Sequence, residues 1–242
     1  MQIKVIGSST AWSDRPCSSY CINNEILIDC GEGTTKLYNK LRIVLNDIKY
    51  IFITHTHSDH TLGLVQYLCQ YVLYNPPEKY KTLTIFAPRG FTNYLHKLFK
   101  LVCHPKTVDL TQFINIVEIA DFSKKIEIDG FIVTPYKLKH DNLLDIGYVF
   151  DDKQSKVGFS GDTTYIKNLE NFIKESDYLF LCCCSFSTTK AHLGLDKYKQ
   201  LEKKYPQKKF FAIHSIDAVF NSASENNITL ANSGEIIDTS TL

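Results

Sequence analysis

Long apolar runs are missing from this sequence. None reaches the roughly 20 residues that a membrane-crossing helix needs. The opening Met1-Gln2-Ile3-Lys4-Val5-Ile6-Gly7 reads as a strand and not as the apolar core of an export signal. These absences predict a cytoplasmic protein without a membrane partner. An excess of one charge is missing too: 27 Lys and Arg stand against 26 Asp and Glu, a formal net charge of +1. No global basic field therefore advertises nucleic acid, although a local patch remains open. No linker, low-complexity tract or defensible internal repeat divides the chain, so residues 1–242 are expected to form one domain with a sizeable core. Eight cysteines without export imply a reducing compartment and free thiols. Cys182-Cys183-Cys184 lacks zinc-finger spacing and reads as small buried residues in a strand.

What is present is a histidine cluster at the end of an apolar run: Ile51-Phe52-Ile53-Thr54-His55-Thr56-His57-Ser58-Asp59-His60. In extended chain, residues two apart share a side, so His55 and His57 can face one cation. Asp59 and His60 follow where the chain must turn, and can reach a second. Imidazole with carboxylate suits zinc, with manganese or iron as alternatives. Three more ligand-type side chains stand where apolar runs leave a sheet: His140 after Phe131–Lys139, Asp162 after Lys156–Gly161, and His214 after Phe210–Ile213. Such edges are where sites are built on rigid scaffolds.

The remaining pattern alternates strands and helices. Strands are predicted at 2–7, 19–22, 26–29, 49–54, 83–86, 114–119, 125–138, 146–150, 156–160, 178–182 and 210–213, with a last pair at 227–231 and 235–238. The second and third form a hairpin about Asn23-Asn24. Helices are predicted at 35–45, capped by Thr34, and at 61–74, 91–101, 164–175 and 195–204, with Asn75-Pro76-Pro77 ending the second. This mixture suits an α/β protein with two sheets packed face to face and helices outside.

The H-x-H-x-D-H cluster resembles the signature of the metallo-β-lactamase fold, a four-layer αβ/βα sandwich. Further motifs resemble the ribonuclease Z branch of that superfamily: Asp29-Cys30-Gly31-Glu32-Gly33-Thr34, Leu138-Lys139-His140 with Gly147-Tyr148, Phe159-Ser160-Gly161-Asp162-Thr163, the loop from Gly7 to Ser19, and Ala87-Pro88-Arg89-Gly90. The resemblance implies a metal-dependent phosphodiesterase holding two Zn2+. His55, His57 and His140 would hold one ion, Asp59, His60 and His214 the other, and Asp162 would bridge them. Asp29 would orient the histidine loop, as metal histidines usually require. His192, in Ala191-His192-Leu193-Gly194, matches the histidine that assists the leaving group, a general acid's task. Asp59 counts among the catalytic residues as well as the ligands. His96 and His104 are expected to be structural or surface residues.

Departures from that pattern narrow the expectation. The family's tRNA-cutting members carry an acidic H-E-A-T-like loop where this chain reads Leu181-Cys182-Cys183-Cys184-Ser185-Phe186. They also carry a tRNA-gripping arm between the third histidine and the bridging aspartate. Here residues 141–161 leave room for a strand pair and little else. Ser215-Ile216-Asp217 lacks the arginine often found after the last histidine. Small cyclic or linear phosphodiesters, or an RNA 3′ end, are the expected substrates. Hydrolysis of a lactone or thioester, and non-catalytic ligand binding, stay open. The resemblance, with the apolar and tyrosine residues Leu62, Leu64, Tyr67, Leu68, Tyr71, Leu73 and Tyr74, also predicts a homodimer.

Overall fold

The computed structural model describes residues 1–75, 78, 82–103 and 109–241. The Pro76-Pro77 stop and His104 lie outside the described residues. Two sheets form. β1 (Gln2–Gly7), β2 (Ser19–Ile22), β3 (Ile26–Ile28), β4 (Tyr50–Phe52), β5 (Thr84–Pro88), β6 (Asn115–Ile119) and β13 (Ile236–Asp238) make a seven-stranded sheet in the order β13-β1-β2-β3-β4-β5-β6. β7 (Ile126–Ile128), β8 (Phe131–His140), β9 (Leu143–Asp151), β10 (Lys156–Phe159), β11 (Tyr178–Cys182) and β12 (Lys209–Ile213) make a six-stranded one in the order β12-β11-β10-β9-β8-β7.

Alternation of side chains builds the layers. Along β11, Phe180 points into the cluster between the sheets, while Leu179 and Leu181 point outward to α3 (Lys167–Glu175) and α4 (Leu195–Lys204). Along β4, Phe52 faces the inter-sheet core. Ile51 and Ile53, on either side of it, pack outward with α1 (Ser58–Tyr74) and α2 (Phe91–Cys103). Each sheet is therefore apolar on both faces, and each is covered by helices. The inner layer is rich in aromatic rings: Phe52 stacks on Phe86 at 4.7 Å, and Phe180 stacks on Phe159 at 4.6 Å and on Phe211 at 5.1 Å. The layers make an αβ/βα sandwich, the arrangement that the resemblance implies.

The hairpin about Asn23-Asn24 forms as the sequence predicts. Both residues take the left-handed conformation, at φ 49° and 61°, which asparagine tolerates and a tight two-residue turn demands. Four expectations need correction. No helix spans 35–45; Thr34–Leu37 makes one 3-10 turn and the chain then loops. The Thr34 hydroxyl donates back to the Gly31 carbonyl, so it caps nothing. Lys4 Nζ donates to the Leu41 carbonyl at 2.7 Å, and Arg42 sits at φ 53°, so tertiary bonding displaces the helical pattern. The predicted strand 125–138 is two, β7 and β8, joined at Asp129-Gly130 with Gly130 at φ 80°. Residues 227–231 contribute only the bridge of Leu230 to Ala212. A short helix, α5 (Asp217–Asn221), was not expected.

Two further expectations change. Among the described residues six cysteines are free, but Cys69 is disulfide-bonded, since tertiary packing and not sequence spacing decides which thiols meet. The apolar surplus assigned to α1 is largely used within the chain: Leu64, Tyr67, Leu68 and Tyr71 lie in the core under the first sheet, and Leu73 stays exposed. Among the described residues no helix is long and apolar enough to cross a membrane.

Candidate metal centre

The site lies where the C-terminal ends of β4, β8, β10 and β12 release the chain. Its foundation is Asp29, buried just beyond β3 at φ 53°. Asp29 accepts three hydrogen bonds, from the Thr54 N–H (2.8 Å), the Thr54 hydroxyl (2.9 Å) and His60 Nδ1 (2.7 Å). It thereby clips the segment after β4 to the first turn of α1. Gly31 lets α1 approach: a Cβ there would meet the Asp59 carbonyl at 2.0 Å.

Hydrogen bonds also orient His55 and His140. His55 Nδ1 lies 3.1 Å from the Thr54 hydroxyl and 3.2 Å from Asp145 Oδ1. His140 Nδ1 donates to the Ala191 carbonyl at 2.9 Å. With Nδ1 engaged in His55, His60 and His140, Nε2 of each is turned toward Asp162, at 3.8, 3.4 and 3.9 Å. The buried Nε2 atoms of His55 and His60 and Oδ1 of Asp162 make no hydrogen bond. Buried polar atoms are rarely left so. A cation among them would satisfy all three, and the N and O donors suit zinc, manganese or iron.

The structure brings together every expected ligand. His55, His57, His140 and Asp162 offer one set of atoms within 4.8 Å of one another; Asp59, His60 and His214 offer a second such set. His214, at φ 54° beyond β12, touches both, with Nε2 at 3.1 Å from Asp59 Oδ2 and 3.2 Å from Asp162 Oδ2. Asp162 thus stands between the two groups. Its approach to the histidines depends on Gly161, at φ 58°, where a Cβ would lie 2.5 Å from Asp145 Oδ1.

Burial and charge oppose each other here. Burial works to raise the Asp162 carboxyl, but His214 and His60 hold it well below the ordinary range. Burial would lower His60 and His214, yet their carboxylate neighbours, Asp162 foremost, raise both well above an ordinary histidine. Burial depresses His55 well below its usual value. Asp145 goes the other way, pushed up by burial and then by Asp162 and Asp29. Sequence reading missed Asp145. Its signal was an aspartate two residues ahead of Gly147-Tyr148, in the interior of a strand whose other aspartate, Asp151, stands at its end.

His192 reaches the same place from the loop before α4. Its ring lies 4.5 Å from His140 and stacks on His214 at 5.1 Å, with Nδ1 3.8 Å from Asp162 Oδ2. Burial pushes it down to about 4, against the charge of Asp162. Where the acidic loop would be, Cys182 Sγ lies 3.9 Å from His192 Nδ1. All three cysteines are buried as expected, but Cys182 and Cys184 also bear on His214. His96 stands apart on α2, 3.8 Å from Asp109.

These residues open into a cleft of about 340 Å³, lined also by Thr10, Ala11, Trp12, Ser58 and Ile216. A larger hollow of about 460 Å³ at the β7–β8 turn, between Tyr50 and Lys153, contains no histidine and no ligand cluster. The smaller cleft is the candidate site.

The match to known proteins agrees with this geometry. Residues 1–237 match the family model described as "Anti-Pycsar protein Apyc1". A ribonuclease Z of Ligilactobacillus salivarius is 34% identical over 47% of this chain and 34% of its own length; one from Nitrosopumilus maritimus is 25% identical over 74% of this chain and 75% of its own. The first of these alignments spans only about a third of its relative. The metallo-β-lactamase fold protein YhfI of Bacillus subtilis superposes over 98% of both chains with a TM-score of 0.79 at 16% identity, which speaks to the fold. The chain belongs to the family of anti-Pycsar protein Apyc1, within the ribonuclease Z-like part of the metallo-β-lactamase superfamily.

Proposed function

We propose that this chain is a metal-dependent phosphodiesterase acting on small cyclic or linear phosphodiesters, cyclic nucleotides among them. One observation carries the reading: His55, His57 and His140 cluster with Asp162, and the group of Asp59, His60 and His214 reaches the same carboxylate at 3.4 Å through His60 and 3.2 Å through His214, with the Nε2 atoms of His55 and His60 buried and without a hydrogen bond. His55, His57, His140 and Asp162 would hold one ion, and Asp59, His60, His214 and Asp162 the other, zinc being the best fit to this donor set. Such a pair, when bound, supplies a water of lowered pKa and positive charge to offset a phosphoryl group.

The chain's own residues do the rest. Asp29 and Asp145 hold His60 and His55 in the tautomer that presents Nε2. His192, lining the cleft, gives a proton to the leaving oxygen. Burial disfavours a protonated His192, and negative charge growing on the reacting group opposes that. At 340 Å³ the cleft is at the small end of pockets that take small molecules. Between His140 and Asp162 stand only β9, β10 and their tight turns, so no basic arm is available there to grip tRNA. Residues 1–242 would act as one hydrolase domain. A homodimer fits the exposed Leu73, Leu101 and Val102 at the ends of α1 and α2.

The test is a turnover screen of metal-loaded protein on cyclic nucleotides, bis-p-nitrophenyl phosphate, precursor tRNA, a lactone and a thioester. Diester hydrolysis lost on chelation and restored by metal is the expected result. Turnover of the lactone or thioester with none of the diesters would sink the proposal.

A further inference from the structure

Trp12 is the single tryptophan of the chain, and it is 96% exposed. It is not a stray surface residue, because it lines the same cleft as His57, Asp59, Asp162 and His192. The loop that carries it is tied down. The Ser13 N–H donates to the Thr10 carbonyl at 3.3 Å, closing a turn around Trp12. The Ser13 hydroxyl donates to Asp217 at 2.7 Å. Arg15 donates to the Ser215 carbonyl and to Asp217, both at 2.9 Å, and its guanidinium lies 3.5 Å over the Phe220 ring. Apart from the turn's own Thr10 bond, these anchors belong to the segment immediately after His214. The backbone that carries Trp12 is therefore tied beside the ligand histidines, while the indole itself stands in solvent with its faces bare.

The rest of the lining narrows what those faces would meet. No lysine or arginine is among the described lining residues, so nothing there grips a second phosphate. Ala11 and Ile216 add apolar surface beside the indole. Thr10 and Ser58 bring hydroxyls to the lining, and among the described lining residues the indole is the one broad flat face beside them and the candidate ligands. We propose that Trp12 is the stacking platform for the base of a substrate carrying a single phosphodiester, a cyclic mononucleotide being the smallest such molecule. This rests on the phosphodiesterase reading of the same site. Stacking needs only a π face, so it tolerates any base, and the gain comes from indole area that is wholly in water without ligand.

Having one tryptophan makes the test direct, since intrinsic emission reports on Trp12 alone. Metal-loaded protein is titrated with a slowly hydrolysed phosphorothioate analogue of a cyclic nucleotide, and with ribose cyclic phosphate, which has no base. Saturable quenching by the first and not by the second is expected. For Trp12→Ala, the preference in kcat/KM for cyclic nucleotide over the base-free diester should fall about 5- to 150-fold, the range that loss of one base–aromatic stack implies. Most of the change should lie in KM, and Trp12→Phe should restore much of it. An unchanged preference, or equal quenching by both probes, would overturn the inference and leave the diesterase reading intact. An emission shift on simple dilution without nucleotide would also overturn it, by showing that a second copy of the chain covers the indole. Quenching by the nucleotide without turnover of any diester would instead support stacking while removing the proposed chemistry.

Discussion

Asparagine in place of Asp29 keeps the side chain's shape and alters only its charge and donor character. The backbone is no obstacle, because asparagine is at ease in the left-handed conformation that residue 29 adopts at φ 53°. The amide oxygen can still accept from the Thr54 N–H. The new NH2 replaces the oxygen that accepted from the Thr54 hydroxyl and from His60 Nδ1. The hydroxyl can turn and accept. His60 can do so only by moving its proton to Nε2, which removes the lone pair facing Asp162. The alternative is to leave two donors pressed together in a buried site, at about 1–3 kcal/mol. Altering a group that orients a metal histidine typically weakens metal affinity 10- to 100-fold, or about 1.4–2.7 kcal/mol. Asp29→Asn should therefore bind zinc 10- to 100-fold more weakly in competition with a chromophoric chelator. Urea unfolding of metal-free protein would separate this from general destabilisation. Zinc affinity within twofold of the parent would refute the role assigned to Asp29.

Other expectations follow from the same geometry. His57→Ala should lose metal, measured by elemental analysis, together with activity; full metal content would remove His57 from the ligand set. His192→Ala should keep its metal and lose about 10²–10⁴-fold in turnover on diesters with poor leaving groups, and much less on p-nitrophenyl esters; equal losses on both would end its role as proton donor. Gly161→Ala should destabilise the fold by at least 1 kcal/mol, because φ 58° and the 2.5 Å approach to Asp145 both resist a Cβ; an unchanged urea midpoint would contradict this. Away from the site, Lys204, Tyr165 and Tyr205 hold the Glu170 carboxyl down at about 2. A depressed carboxyl stabilises above its unfolded value near 4 and loses that contribution as pH falls towards 2. Glu170→Gln should therefore be less stable than the parent at pH 7, with the gap closing over that window; a gap independent of pH would refute it. Precursor tRNA should be a poor substrate compared with a small diester, and strongly salt-sensitive tRNA cleavage would reverse that.

Much of the site was legible before folding was considered. His55, His57, Asp59 and His60 lie within a few residues of one another. His140, Asp162 and His214 each mark the end of an apolar run, where a strand must stop and a polar side chain can face outward. Period-2 and period-3.6 patterns are local properties, so the sandwich and most of its elements could be read from them. Asp29 was legible through its motif, but its three hydrogen bonds were not.

Tertiary structure decided whatever depends on partners distant in sequence. Asp145 matters because folding sets its carboxylate beside His55, ninety residues earlier in the chain. The helix expected over 35–45 gave way to a loop because Lys4 claims a carbonyl there. Tyr67 and Tyr71 of α1 lie in the core because α2 and the first sheet close over them. Trp12 could be read only as part of a loop until the ties of Ser13 and Arg15 to Asp217 placed it at the mouth of the cleft. The sequence by itself determined which residues could bind a metal and where strands would end, because those depend on side-chain chemistry and local periodicity. Only the folded chain decided which donors share a site, which tautomers they hold and what overhangs them, because those are set by contacts between segments that no local pattern relates.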